Sequence, residues 1–200
     1  GATISLYIDE PQYVDVRETF DVDCVVEVTH RTEYEAISLR LRKIGFSEDM
    51  NSQFTCRFKK RDMILDVLPT DPNILGFSNT WYVDGFKNHV IKKVETQDIK
   101  VFALPYLVAS KIEAFKGRGN NHFTTSHDIE DIVTLFDGCS KIVSEIQNAD
   151  LKVRLFLQTE FKQLIGNNQF ISSLEAHISD RTNLAGRKAV ILSKMQKVAL

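Results

Sequence analysis

Two short runs constrain this chain more than any other feature, and they have to be read together. The first is Thr19–Val28, reading Thr-Phe-Asp-Val-Asp-Cys-Val-Val-Glu-Val. The second is Met63–Asp71, reading Met-Ile-Leu-Asp-Val-Leu-Pro-Thr-Asp. Both are β-branched, apolar and of strand length, yet each carries acid where a core strand has none. Side chains alternate faces along a strand, so Asp21 and Asp23 share one face while Val22 and Cys24 take the other. By the same period Asp66 shares a face with Ile64 and Leu68. If the two strands are neighbours, three carboxylates converge on one patch.

Such a patch is costly without a cation, because the charges repel and resist desolvation. A pair of hard divalent ions held through oxygen removes that cost and supplies a clamp for phosphoryl transfer. The ordinary alternative for Asp21 and Asp23 is a solvated strand end, since Asp-x-Asp is a short motif. Val22, Cys24, Val25 and Val26 argue instead for a mostly buried strand. Asp66, inside Ile-Leu-Asp-Val-Leu, has no ordinary role of that kind.

Two hundred residues suit one domain, or one compact domain with a helical appendage. With 25 basic and 27 acidic residues the formal charge is −2, which excludes a global positive field, so nucleic-acid binding requires a local patch. Lys59-Lys60-Arg61, Lys92-Lys93 and Arg187-Lys188 are the candidates, each equally readable as a solvated turn or helix face. The three cysteines, Cys24, Cys56 and Cys139, are scattered and read as reduced, buried thiols of an intracellular, cytoplasmic protein. No apolar run approaches the ~18 residues of a membrane span, and no signal peptide is read. The five histidines lack ligand spacing, which argues against zinc. The chain opens at Gly1 without Met, so an upstream segment is expected.

Along the chain, residues 2–8 read as a short helix and 9–18 as a loop. Thr32-x-x-Glu35 fits a capping box, followed by the stripe Tyr34, Ile37, Leu41, Ile44 and a stop at Gly45. Residues 54–58 and the Asp66 strand form an antiparallel hairpin turning at 59–62. Residues 76–85 read as loop, and 90–94 and 99–102 as strands. Leu104, Val108, Ile112 and Phe115 mark a helix, with Leu107, Lys111, Ala114 and Arg118 on the adjacent stripe. Gly117 to Asn121 breaks it, and Ser126 caps the next helix, which Gly138 closes. Asp128 and Asp131 lie on that helix's flank. Helices broken near Asp150, Gly166 and Asp180 follow. The layout is α+β, or mixed α/β.

These blocks together resemble a known family. A glycine and a helix, then Asp-Val-Asp on a strand and a lone Asp on a later strand, resemble the nucleotidyltransferase fold of the polymerase-β type. Pro105 to Phe115 with Lys111, then Arg118, then His127-Asp128-Ile129-Glu130-Asp131-Ile132, resemble the AbiEii-like nucleotidyltransferases, which include toxins of bacterial toxin–antitoxin systems. The resemblance spans residues 1–137 and departs at His127, where the family often has Lys. It implies a core sheet with flanking helices over 1–103, its N-terminus incomplete, and helix periodicity extends a helical portion over 104–200.

It further implies Asp21, Asp23 and Asp66 as catalytic ligands of two Mg²⁺ ions, with Asp66 on the acceptor side. Gly1, Lys111, Arg118 and Asp128 would serve the nucleotide. A nucleoside triphosphate is then the substrate, and RNA (transfer RNA in some members), a protein or a small molecule the acceptor, with a cognate antitoxin as partner. The residues themselves leave alternatives open. Lys111 is also readable as a snorkelling surface lysine, and Arg118 as a solvated loop residue. The whole chain is also readable as a non-catalytic module that keeps the fold.

Overall fold

The computed structural model describes residues 2–52, 55–118 and 122–200, and of Ala2 and Arg118 the backbone alone. The expected strand start at Phe54 and the Gly119-Asn120-Asn121 part of the helix break lie outside the described residues. The fold is α+β. Contacts divide the chain into two compact units, one built on Arg17–Lys87 and one on Thr3–Val16 with Asn88–Leu200. The strands end at Phe102 and the helices begin at Leu104, while the boundary between the two contact units falls at Lys87/Asn88, so the second unit holds Thr3–Val16 and two strands as well as the helices.

In the first unit β1 (Asp21–Val26) is followed by α1 (Arg31–Lys43), β2 (Ser47–Glu48), β3 (Arg57–Lys60) and β4 (Met63–Pro69). The sheet order is β1-β4-β3-β2, with β1 parallel to β4 and the other pairs antiparallel. Val26, Tyr34, Ile37, Leu41, Phe58, Leu65 and Val67 form one apolar cluster, so α1 covers one face of this sheet. The Tyr34 hydroxyl donates to the Val67 carbonyl at 3.0 Å and pins the helix to the strand.

Four local expectations are corrected. The Glu33 carboxylate, not Glu35, caps α1, accepting from the Thr29 and His30 backbone N–H groups at 2.7 and 3.1 Å. Those donors hold its carboxyl below the ordinary range. Ile44 falls past the helix end and is exposed. The helix stops where Gly45 takes φ +92°, with Phe46 N–H donating to Leu41 O and Gly45 N–H to Arg42 O, a Schellman closure. In addition β1 is an edge strand. Val22 is 51% exposed and Cys24 is exposed too, because only the far end of β1 reaches the cluster under α1. Acid on an edge strand also discourages pairing with other chains. Cys56 and Cys139 are buried as expected. Residues 76–85 are not wholly loop, since α2 (Pro72–Leu75) is followed by α3 (Tyr82–Lys87) behind a buried Trp81.

The second unit holds the hairpin β5 (His89–Val94) and β6 (Gln97–Phe102), paired only with each other among the described residues. Then come α4 (Leu104–Arg118), α5 (His127–Gly138), α6 (Ile142–Gln147), α7 (Leu151–Ile165), α8 (Asn168–His177) and α9 (Leu184–Ala199). The expected stripe of α4 is buried, but Tyr106, Leu107 and Ala109 are buried as well, so this helix is central. Ser126 caps α5 through Ile129 N–H at 3.3 Å, as expected. Arg187 on α9 is buried beside Asp137, donating from Nε to its carboxylate at 2.7 Å and from Nη2 to its carbonyl at 2.8 Å. Its guanidinium lies 3.8 Å from the Tyr13 ring centroid. No helix among the described residues is long and apolar enough to cross a membrane.

Gly138 is where Thr3–Val16 touches α5. Its carbonyl accepts from Asp9 and Glu10 N–H at 3.1 and 3.0 Å, and the Asp9 carboxylate accepts from Ser140 N–H and Oγ at 2.8 and 2.7 Å. A Cβ on Gly138 would come within 2.7 Å of Val14 Cγ2 and 3.1 Å of Ile8 Cδ1. Gly138→Ala is therefore expected to cost about 1–3 kcal/mol. A lower urea midpoint with unchanged m is the signature, and an unchanged midpoint would show that the segment yields freely.

Candidate active site

The parallel pairing of β1 and β4 puts Asp23 directly opposite Asp66, with Asp21 opposite Ile64. In-register partners share a face, so Asp21, Asp23, Ile64 and Asp66 lie on one side of the sheet. Phe58, Leu65 and Val67 lie on the other, against α1. The three acids thus stand on the face that α1 leaves uncovered, brought together across the 42 residues of chain between Asp23 and Asp66.

A residue that the sequence reading missed also stands on this face. Arg57 of β3 is opposite Asp66 in the antiparallel ladder. Its Nε donates to Asp66 Oδ1 at 2.8 Å and its Nη2 to Oδ2 at 2.6 Å, a two-pronged pair. The same Nη2 reaches Asp21 Oδ2 at 3.3 Å. The hydrogen bond to Asp66 raises the guanidinium's pKa above its ordinary value, so it is permanently charged. Asp66 is 7% exposed, Asp21 more open and Asp23 exposed, so the patch grades from a buried to a solvated end. Beside it, burial pushes the Cys56 thiol up to about 11, which keeps it protonated at neutral pH.

As the side chains stand, no group of three or more His, Cys, Asp or Glu among the described residues is arranged to hold a metal ion. The donor chemistry nonetheless suits Mg²⁺. The acids are three hard oxygen donors on one face, with no soft or imidazole ligand among them. What stands against ligation in this arrangement is Arg57, which takes both oxygens of Asp66.

In the second unit, Lys111 of α4 faces α5. Its Nζ lies 2.6 Å from Asp131 Oδ2 and 3.5 Å from Asp128 Oδ1. Both acids are 4% exposed, so this is no surface ion pair. Lys111 and Asp128 are together, as their stripes suggest, but the closer partner is Asp131. Burial opposes ionisation of Asp131, yet neighbouring positive charge, chiefly Lys111, outweighs it and holds the carboxyl below the ordinary carboxylate range. His127 is exposed, with Nδ1 3.1 Å from Glu130 Oε2.

Gly1 and the side chain of Arg118 lie outside the described residues. The candidate RNA patches are largely engaged elsewhere. Lys59 pairs with Asp49 at 2.7 Å, Lys188 pairs with Glu175 at 2.6 Å, Lys92 sits over the Tyr7 ring, and Arg187 is buried. Comparison with protein families, with curated proteins and with solved structures finds no match to this chain.

Proposed function

We propose that this chain is a Mg²⁺-dependent nucleotidyltransferase that moves a nucleoside monophosphate from a nucleoside triphosphate to an acceptor hydroxyl. The observation that carries the reading is the direct opposition of Asp23 and Asp66, with Asp21 beside them, on the face of a parallel strand pair opposite α1. The sequence resemblance to AbiEii-like nucleotidyltransferases, which adds the block from Pro105 to Asp131 to these same acids, also supports it.

Asp21, Asp23 and Asp66 would hold the ions. When bound, these supply charge neutralisation at the α-phosphate and at the departing pyrophosphate. In the reaction the acceptor oxygen bonds to the α-phosphorus, the bond to pyrophosphate breaks, and the hydroxyl proton has to leave. Asp66, released by Arg57 on one oxygen, takes that proton and passes it to solvent. On the resemblance alone, Lys111, kept charged by Asp131 and Asp128, would be the point charge that serves the nucleotide phosphates. The acceptor is RNA, a protein side chain or a small molecule. A role as the toxin of a toxin–antitoxin pair, restrained by a cognate antitoxin, follows from the resemblance alone.

A second reading, a non-catalytic nucleotide-binding or interaction module, is favoured by one observation. Both Asp66 oxygens accept from Arg57, as in a purely structural ion pair. Incubation with Mg²⁺, each of the four α-labelled nucleoside triphosphates, and bulk RNA or lysate separates the two. Label transfer that chelator abolishes supports the enzyme. Nucleotide binding without transfer to any acceptor class supports the module.

Asp66→Asn is expected to lower turnover by about 10²–10⁴-fold, the range for a lost general base, while nucleotide affinity changes much less. Calorimetric titration of nucleotide in Mg²⁺ beside single-turnover rates checks this. A large loss of affinity with normal turnover of bound nucleotide would remove Asp66 from the acceptor side.

A further inference from the structure

We infer that Arg57 is the resident counter-cation of the acid face: its guanidinium holds Asp66 and Asp21 in the metal-free protein and competes with divalent ions for their oxygens. The inference rests on the proposed metal-dependent function and adds to it a residue that sets how tightly the ions bind.

The geometry carries it. Arg57 engages Asp66 through two parallel N–H donors at 2.8 and 2.6 Å and spans to Asp21 at 3.3 Å. It is thus bound to two of the three proposed ligands, one on each of the paired strands. A carboxylate oxygen that accepts a charged N–H offers less of its lone pairs and charge to an ion, so one of these contacts has to open before Asp66 ligates. Opening is feasible because the side chains of Arg57 and Asp21 keep 20% and 40% of their surface exposed, which gives the freed guanidinium access to water. Without a cation of any kind, Asp23 and Asp66 would face each other as like charges in register. Arg57 offsets that repulsion and keeps β1, β4 and β3 in order between rounds of ion binding. It is a positioning residue: it acts on the ligands, not on the substrate.

The test is Mn²⁺ binding, with Mn²⁺ as the probe for Mg²⁺, followed by calorimetry and by the paramagnetic signal of free ion. Arg57→Gln is expected to bind Mn²⁺ about tenfold or more tightly than wild type, because one positive charge has left the site. The same variant should melt lower in chelator and gain more from Mn²⁺ than wild type does. Arg57→Lys, which keeps the charge but not the fork, should fall between. In wild type, the slowly exchanging Arg57 Nε–H resonance should disappear as Mg²⁺ is added. That measurement decides the matter if the Gln variant does not fold. Unchanged or weaker Mn²⁺ binding in Arg57→Gln, or an Nε–H resonance that persists at saturating Mg²⁺, overturns the inference while leaving the nucleotidyltransferase reading intact. Failure of wild type and variant alike to bind Mn²⁺ overturns both.

Discussion

Replacing Asp23 by Asn is expected to cut nucleotidyl transfer by at least about 10³-fold while leaving the fold intact, as removal of a charge that orients catalytic ions does. Asn has the same shape and keeps one oxygen, so the exposed end of β1 is not disturbed sterically. What disappears is the negative charge directly across from Asp66. Like charges in register destabilise a strand pair, so the variant in chelator should melt at the wild-type temperature or slightly above. The two halves of the result matter together. A rise in stability combined with loss of function says that wild type tolerates repulsion for the sake of ion binding. Label transfer and thermal melting on the same preparation check it. Retained transfer would return Asp23 to the status of a solvated strand end, and collapse of the fold would make it a structural residue instead of an ion ligand.

Lys111→Met should have the largest effect on stability. It leaves two carboxylates, both 4% exposed, without the ammonium 2.6 and 3.5 Å away, and breaking a buried pair in this way costs about 3–5 kcal/mol. The pH dependence identifies the cause. The folded-state pKa of Asp131 is depressed, so in wild type its contribution is present above the unfolded value of about 4 and is lost as pH falls through the folded value. In the variant the same carboxyl lacks that cation, so burial weighs more heavily against its charged form. The deficit relative to wild type should therefore be greatest at neutral pH and shrink toward acid. Melting curves from about pH 3 to pH 8 measure it, and a deficit independent of pH would indicate lost packing alone. Adding Asp131→Leu to Lys111→Met should restore part of the loss. If Lys111 also meets nucleotide, the single variant binds triphosphate less well while monophosphate affinity changes little.

The acids of the candidate site were legible because strand periodicity is simple and an acid inside Ile-Leu-Asp-Val-Leu is rare. Their partner was not. A four-residue turn over Lys59–Asp62 pairs Thr55 with Asp66, whereas the actual two-residue turn at Arg61-Asp62, with Arg61 at φ 53°, brings Arg57 there. Two residues of register thus hid the most telling contact. Asp131 escaped for a similar reason: periodicity places it and Asp128 on one flank, but only the packing of α4 on α5 decides which meets Lys111. The burial of β1 was misjudged because Val22 and Cys24 carry no mark of being at an edge. Sheet order is a non-local property, and a single strand's composition does not contain it. The helix limits at Ser126, Gly45 and Gly166 were legible because caps are made by neighbours in sequence.

The helical unit claims Thr3–Val16, with the sheet unit inserted into the chain between that segment and Asn88. During synthesis this has a consequence for order. The sheet unit, Asp66 included, is complete in sequence once Lys87 has emerged, and can fold while the ribosome is still making α4. The segment before it cannot settle, because its hydrogen-bonding partners Gly138 and Ser140 do not yet exist. The fully buried Ile4 must wait through more than a hundred residues of translation, a stretch in which a chaperone has the most to shield. The acid face is thus formed early, and the start of the chain is among the last parts to find its place.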